Sequence, residues 1–164
     1  MLERFVGQAD NVITLMKTLI PVSSLLHHKG SAVWHVSPES LVFDAIKLMA
    51  DKNIGALPVM SHGMLVGIFT ERDYTRKIAL MGKTSRDTRV QEVLSGEVIC
   101  VSPNDFVEEC MRLMTEHRIR HLPVVEGEKV IGIISIGDLV NWIISAQNSA
   151  IKQMEQYIAG GVST

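Results

Sequence analysis

Two short segments of the chain place a hydroxyl-bearing residue three positions before an aspartate. Thr70 precedes Asp73 in the first segment, and Ser135 precedes Asp138 in the second. Because an ionised carboxylate can accept hydrogen bonds from two neighbouring hydroxyl groups, each aspartate is a candidate acceptor for a vicinal diol. The same spacing is typical of a helix capping box, in which the two side chains satisfy main-chain N–H groups. From the residues alone the cap is the favoured interpretation, and a ligand site is the alternative.

These segments belong to a repeat that predicts the elements around them. Residues 35–78 and 100–143 align without a gap. Each copy predicts a short strand ending at Val36 or Val101, a helix, two strands, and a second helix near the aspartate. Because one such unit is small for an independent domain, we expect the copies to pack on each other about a pseudo-two-fold axis. The predicted strand pairs are 57–60 with 65–69 and 122–125 with 130–134.

Two further positions in each copy have predicted structural roles. Ser40 and Asp105 are the predicted N-caps of the first helix, because each stands just before apolar residues at helical spacing. Gly67 and Gly132 carry no side chain, which suits a place where the backbone must approach another group closely. Both roles recur at equivalent positions and therefore support one shared fold.

The composition is that of a globular protein without a strong overall charge. The chain has 164 residues, 46% of them hydrophobic, and a formal net charge of −2. No basic field would therefore draw it to nucleic acid or to a membrane, and a phosphorylated ligand would need a local cluster of cations. Cys100 and Cys110 are interpreted as small buried hydrophobes rather than a disulfide or metal pair. With neither a signal-peptide pattern nor a long apolar stretch, the sequence predicts a cytoplasmic protein.

Two kinds of motif recur in order and in register. The pattern Gly-h-h-[Thr/Ser]-x-x-Asp, where h is hydrophobic, occurs at 67–73 and 132–138, and Ile-x-x-Leu-Pro-Val occurs at 54–59 and 119–124. Together they resemble a tandem pair of CBS domains, also called a Bateman module, over roughly residues 20–145. The resemblance implies an α/β fold of two β-α-β-β-α repeats packed with pseudo-two-fold symmetry, plus terminal helices.

The resemblance also divides the chain. Both ends are amphipathic and predict helices that either cap the core, which is the favoured role, or mediate oligomerisation. The segments that lead into the two copies, 22–26 and 90–94, also echo each other, with three more residues in the first copy. The expected units are an N-terminal helical extension (1–20), CBS repeat 1 (21–80), a linker (81–89), CBS repeat 2 (90–145), and a C-terminal helix and tail (146–164).

Modules of the resembled family bind adenosine compounds in clefts between the repeats. The resemblance therefore implies an adenine nucleotide, with AMP as the first expectation and ADP, ATP, NAD or S-adenosylmethionine as alternatives. It implies that Asp73 and Asp138 bind the ribose and that basic residues such as Arg120 bind the phosphates. The expected ligand-binding residues are Gly30, Ser31, Ala32, Gly55, Ala56, Pro58, Thr70, Arg72, Asp73, Arg120, His121, Pro123, Ile133, Ser135 and Asp138.

By the geometry of that family, each aspartate works with the middle segment of the other repeat. Arg120 and His121 would then lie beside Asp73, whereas Gly55 and Ala56 would lie beside Asp138, so the two clefts should differ in their phosphate ends. We expect the cleft served by Arg120 to be the stronger phosphate site.

Three classes of function remain at this point. The first is a regulatory sensor that binds a nucleotide, forms a homodimer and acts on an effector protein that the sequence does not identify. The second is a structural dimerisation module without a ligand response. An enzyme is not expected, because the sequence contains no nucleophile–base pair and no metal-ligand pattern.

Overall fold

The computed structural model describes residues 20–30, 32–94 and 96–160. The helical extension predicted for residues 1–20 therefore lies outside the described residues, apart from Ile20. A π-helical turn spans Thr75–Ala79, and a 3-10 turn at Val90–Glu92 leads into the second repeat. The elements in chain order are α1 Val22–Lys29, α2 Val42–Lys52, β1 Ala56–Ser61, β2 Met64–Thr70, α3 Glu71–Tyr74, α4 Val107–Glu116, β3 His121–Glu126, β4 Lys129–Ser135 and α5 Ile136–Gly160.

Each repeat contains one antiparallel strand pair, as predicted. In β1–β2, Leu57 lies opposite Phe69, and in β3–β4 the equivalent Leu122 lies opposite Ile134. Both pairs also carry a register shift at the same place, one residue after the Leu-Pro-Val motif. The α/β fold and the internal duplication are therefore confirmed, and the duplication includes the same register shift in both strand pairs.

The short first strand of each repeat is reduced to a single bridge. Val36 bridges Val59 in parallel, and the equivalent Val101 bridges Val124. The main-chain N–H of Val36 donates to the carbonyl of Pro58 at 3.1 Å, so the proline still contributes its acceptor although it lacks a donor.

The N-caps predicted for α2 and α4 are wrong. Each predicted residue lies one position before the observed N-cap, and its side chain binds an N–H group outside the helix. The N-cap positions are Leu41 and Phe106, neither of which makes a side-chain cap. Ser40 Oγ instead accepts from the N–H of Ser37 at 3.1 Å, and Asp105 Oδ2 accepts from the equivalent N–H in the second repeat at 2.6 Å. Both side chains therefore close the turn that precedes the helix.

Main-chain groups from the other repeat's lead-in satisfy the first turn of these helices. The N–H of Val42 donates to the carbonyl of Thr88 at 2.9 Å, and the N–H of Val107 donates to the carbonyl of Ile20 at 3.0 Å. In return, Val90 and Val22 donate to the segments before α2 and α4. The first N–H of each helix is therefore satisfied by the main chain of a segment that is distant in the sequence.

The lead-in segments pack on opposite repeats. Val22 and Leu25 of α1 are buried in the core of the second repeat, with residues such as Ile134. Val90 and Val93, which precede the second repeat, are buried in the core of the first. The two repeats therefore exchange their lead-in segments, and each core is incomplete without the other repeat's lead-in.

The glycines of the repeated motif accommodate this exchange. A Cβ on Gly67 would lie 2.8 Å from Cδ1 of Leu94, and one on Gly132 would lie 2.5 Å from Cδ2 of Leu26. Leu26 and Leu94 occupy equivalent places in the two lead-ins. The close approach that the sequence predicted is thus made by an exchanged leucine side chain.

The linker packs on the folded body, whereas the C-terminal helix continues the second helix of repeat 2 with exposed side chains over residues 151–159. Thr88 is buried and donates through its hydroxyl to the carbonyl of Thr84 at 2.9 Å. The second helix of repeat 2 continues through residue 146 as one helix, α5, to residue 160. Cys110 is buried as predicted, whereas the same prediction for Cys100 is wrong, because its residue is exposed in the segment before the Val101 bridge.

Gly132→Ala should destabilise the fold because the new methyl group must displace Leu26. We expect a loss of about 1–3 kcal/mol in the free energy of unfolding, as for other overpacked sites. Gly137→Ala is the matched control, since its Cβ would meet its nearest neighbour at 3.6 Å. Denaturant unfolding of the single variants and of Gly132→Ala/Leu26→Ala measures the coupling. Strictly additive effects would contradict this packing.

Candidate functional site

Each junction between the last strand of a repeat and its following helix closes a capping box. Thr70 donates its N–H and its hydroxyl to Asp73 Oδ2, at 3.0 and 2.7 Å, and Thr70 Oγ1 accepts from the N–H of Asp73 at 3.2 Å. Ser135 and Asp138 make the same three bonds at 2.7, 2.9 and 3.2 Å. The capping interpretation of the motif is confirmed at both places, and any ligand role must share these carboxylates with the cap.

Both carboxylates also bind a lysine. Lys77 Nζ lies 2.8 Å from Asp73 Oδ1, and Lys29 Nζ lies 2.6 Å from Asp138 Oδ2. The same ammonium groups donate to main-chain carbonyls: Lys77 to Val93 at 2.6 Å, and Lys29 to Ile133 at 2.9 Å. Each junction therefore contains a lysine ammonium group that binds both a carboxylate and a main-chain carbonyl.

The charge of Asp138 is stabilised by these partners. Burial raises the pKa of its carboxyl group, but the hydrogen bonds from Lys29 and from Ser135 outweigh burial and hold the pKa below its ordinary value. Asp138 is thus ionised at neutral pH and available as an acceptor. Its side chain is 27% exposed, so solvent and a solute can reach it.

His121 joins the second junction to the first repeat. A Cβ on Gly55 would lie 3.3 Å from both Cε1 and Nε2 of the His121 ring, so the absence of a side chain at Gly55 gives the ring its place. Burial lowers the pKa of His121, and Lys29 and Arg120 lower it further, against an opposing effect of Asp138. The structure therefore brings His121, Gly55, Lys29 and Asp138 together. His121 thus interacts with Asp138 of its own repeat and not with Asp73, where the family geometry placed it.

Arg72 connects the first junction to the second repeat. Its Nη1 donates to the carbonyl of Arg118 at 2.6 Å, in the turn that precedes β3. Arg118 has a φ of 52°, so its carbonyl is presented by a left-handed turn residue. Arg120 is exposed two residues further on. Asp73, Arg72 and the basic segment before β3 thus lie on one side of the repeat interface.

The remaining expected residues offer few polar side-chain groups to a ligand. Ala56, Pro58 and Pro123 are buried in their strands. Gly30 and Ala32 are exposed after α1, and Ser31 lies outside the described residues. Ile133 contributes the carbonyl that Lys29 binds.

Sequence reasoning missed both lysines. Lys77 follows Asp73 by four residues on the same helix, which is a recognised signal for an ion pair. Lys29 gives no local signal, because it precedes the first repeat in the chain and reaches the second repeat only through the exchanged α1. The position equivalent to Lys77 is Trp142, so the repeat itself does not predict a lysine on Asp138.

A cavity of about 510 Å³ adjoins the second junction between α1 and α5. Asp138 and Lys29 line one end of it, and His28 packs edge-to-face on Trp142 with ring centroids 4.9 Å apart. The indole N–H of Trp142 is buried without a hydrogen-bond partner among the described residues. The volume falls in the range of small-molecule sites.

Within the described ranges, no cluster of three or more His, Cys, Asp or Glu side chains could hold a metal ion. No helix of that part of the chain combines the length and the apolar character needed to cross a membrane.

Comparison with protein families assigns the duplicated fold. The model of the CBS domain matches residues 30–80 and again residues 90–145, which together make up most of the chain. The chain belongs to the CBS-domain family. Its two repeats are the two CBS domains, and the lead-in of each domain packs in the core of the other.

Relatives of this CBS-domain protein match it over most of its length. CBSX3, a mitochondrial CBS domain-containing protein of Arabidopsis thaliana, is 40% identical over 137 residues, which cover 80% of this chain and 66% of CBSX3. YhcV, a CBS domain-containing protein of Bacillus subtilis, is 34% identical over 87% of this chain and 94% of its own.

Solved structures agree with the fold. The CBS domain protein NE2398 superposes with a TM-score of 0.73 at 49% identity, covering 76% of this chain and 97% of its own. A Burkholderia ambifaria protein with CBS domains, whose name proposes a role in signal transduction, gives a TM-score of 0.72 at 48% identity over 77% of this chain and 93% of its own.

His121 should make the stability of the fold depend on pH. Because its pKa lies below the ordinary value of 6.5, the unfolded chain binds a proton more readily, and stability falls as the pH drops from about 7 to about 5. His121→Gln removes this titration, and His35→Gln, at an exposed residue, is the control. Thermal unfolding at stepped pH should show a flatter profile for His121→Gln alone. Parallel profiles for all three proteins would refute the assignment.

Proposed function

We propose that this CBS-domain protein is a regulatory module that binds an adenosine nucleotide at the junctions closed by Asp73 and Asp138. One observation carries the proposal: two equivalent and partly exposed carboxylates, each paired with a lysine, lie beside a segment of the opposite repeat. A ligand bound at either junction would touch both repeats. Its affinity would then depend on how the repeats are arranged, which is the requirement for regulation.

The carboxylates suit a ribose although they also cap a helix. Capping engages Oδ2 of Asp73 and Oδ2 of Asp138. In the described part of the chain, Oδ1 of Asp138 has no hydrogen-bond partner, so one oxygen remains to accept from a ribose hydroxyl. A second hydroxyl can reach Oδ2 when the lysine leaves. Binding by both hydroxyls would favour a ribose over a deoxyribose.

The phosphate end of the ligand would meet cations at either junction. Arg72 serves the Asp73 side, and Lys29 serves the Asp138 side, where the sequence predicted no cation. Arg120, which the resemblance placed beside Asp73, instead acts on His121 together with Lys29, and its carbonyl accepts from the N–H of Ile136 at 2.9 Å. Planar guanidinium groups suit forked contacts to phosphate oxygens. AMP is the first candidate, and ADP, ATP, NAD and S-adenosylmethionine are the others.

A ligand panel tests the proposal directly. At a hundredfold excess over its dissociation constant, a bound nucleotide should stabilise the fold by about 2.7 kcal/mol in thermal-shift and calorimetric measurements. Asp138→Asn and Asp73→Asn should each weaken binding at one junction, because asparagine keeps a capping acceptor but removes the charge that strengthens the ribose contact.

Asp51→Asn is the matched control, since Asp51 pairs only with Lys47 on the exposed face of α2. A panel without any stabilising ligand would sink the sensor proposal. If all three variants bind as tightly as the parent protein, the chain binds a ligand but Asp73 and Asp138 do not contribute to the binding.

The second candidate is a structural dimerisation module without a ligand response. The capping boxes favour it, because both aspartates would be needed for folding even in the absence of a ligand. It predicts no nucleotide-dependent stabilisation, so the same panel separates the two candidates.

An enzymatic role has less support. Inosine-5'-monophosphate dehydrogenase of Methanocaldococcus jannaschii is 36% identical over 64% of this chain, but the match covers only 20% of that enzyme. The match concerns CBS domains alone. The regulatory output of this chain would instead pass through self-association or an effector protein.

Self-association is supported by an unpartnered apolar stripe on α5. Ile144, Ile151 and Ile158 are 50%, 54% and 71% exposed. They recur every seventh residue, Val140 precedes them by one turn and Met154 lies between the last two, and this spacing is typical of a helix that pairs with another helix. We propose that the stripe joins two copies of the chain. Self-association also occurs in a similar protein, since the solved structure of a cyanobacterial CBS-CP12 protein is described as hexameric.

Ile151→Glu should break this association, because it places a charge at the centre of the stripe. Sedimentation or light scattering should show a dimer for the parent protein and a monomer for the variant. Lys152→Glu, at the exposed neighbouring position off the stripe, should remain a dimer. A monomeric parent protein, or a dimer unaffected by Ile151→Glu, would contradict this role of α5.

A further inference from the structure

The two junctions obtain their lysines from non-equivalent places in the sequence. Lys77 reaches Asp73 from one helical turn away on the same helix. Lys29 reaches Asp138 from α1, the lead-in that is exchanged from the other repeat. Because Trp142 stands where a second copy of Lys77 would stand, the duplication does not account for a cation on Asp138.

Lys29 occupies acceptors that a ligand would need. Its ammonium lies 2.6 Å from Asp138 Oδ2 and 2.9 Å from the carbonyl oxygen of Ile133. A ribose that binds Asp138 through both hydroxyls must take over Oδ2. The lysine and the ribose therefore compete for the same atom.

The ion pair can open without unfolding the protein. The side chains of Lys29 and Asp138 are 36% and 27% exposed, so water can solvate both groups when they separate. Lys29 is also the last residue of α1 and is followed by Gly30, whose φ is 90°. Its long, flexible stem can carry the ammonium away while the helix stays in place.

We propose that Lys29 is a displaceable counter-ion that makes the Asp138 junction select phosphorylated over unphosphorylated nucleosides. The inference rests on the proposed function. A neutral nucleoside must break the ion pair and offers the released ammonium no new anion. A nucleotide breaks the same pair but supplies a phosphate to which Lys29 can turn.

Lys29 is the cation in direct contact with Asp138, and the other charged groups near the junction must be separated from it. On the opposite repeat Gly55 and Ala56 carry no charge, whereas a carboxylate oxygen of Glu71 lies as close to the ideal Cβ of Gly55 as the His121 ring does, at 3.3 Å. Burial and the neighbouring cations Lys29 and Arg120 lower the pKa of His121, so Arg120 is the second cation whose contribution must be separated from that of Lys29.

Site-resolved NMR titration with adenosine and with AMP tests the inference. The amide signals of Ile133 and Ser135 report on the Asp138 junction, and the amide of Thr70 reports on the other one. In the parent protein, AMP should bind at Asp138 more tightly than adenosine. In Lys29→Met the preference should shrink about tenfold, because adenosine binds more tightly and AMP less tightly. Lys29→Arg should retain the preference.

The comparison has clear contrary outcomes. An unchanged preference in Lys29→Met, or an equal loss for both ligands, would overturn the role of Lys29. If Arg120→Met removes the preference and Lys29→Met does not, the selection belongs to Arg120. Lys29→Gln gives the same comparison if the spectrum of Lys29→Met shows loss of folding.

The titration also separates this inference from the proposed function. Binding that appears only at Thr70 would overturn the inference and keep the nucleotide-binding function. Binding at neither junction, by either ligand, would overturn both.

Discussion

The structure depends on the exchange of lead-in segments between its two repeats. Leu26 packs against Gly132 and Leu94 packs against Gly67, so that neither repeat completes its core from its own residues. Main-chain bonds follow the same exchange, since the first turns of α2 and α4 donate to carbonyls of the opposite lead-in. A unit of this size buries little apolar surface alone, and the exchange gives each of the two cores residues from the other repeat's lead-in. The junctions with Asp73 and Asp138 are therefore held relative to each other.

The same carboxylates serve the fold and the proposed site. Asp73 and Asp138 each satisfy a main-chain N–H at the start of a helix, and each also holds a lysine. These bonds fix the orientation of the carboxylate before any ligand arrives, which reduces the cost of ordering it on binding. The lysines make the two junctions unequal, because Lys77 moves with its own helix whereas Lys29 belongs to the exchanged α1.

Local features of the fold could be predicted from the sequence, and non-local ones could not. The strand pairs depend on residues within a few positions of each other, and they were predicted correctly. The capping boxes are equally local and were the favoured interpretation from the residues alone, but the family resemblance then favoured a ligand-facing role for the aspartates. The N-caps at Ser40 and Asp105 were wrong because these side chains accept from the N–H groups of Ser37 and Ser102, in the turn before the helix, and each helix begins one residue later. The echo between 22–26 and 90–94 was visible, but only the three-dimensional packing shows that Leu26 belongs to the second core. Lys29 was missed for the same reason.

Native-state hydrogen exchange tests the interlocking of the repeats most directly. The amides of Met60 and Val125 occupy equivalent positions, and each donates to a carbonyl of its repeat's first bridge at 2.8 Å. If the exchanged lead-ins join the cores, both amides should exchange through one global opening, with the same free energy and the same dependence on denaturant. Earlier opening at Met60 while Val125 stays protected, or the reverse, would contradict the account.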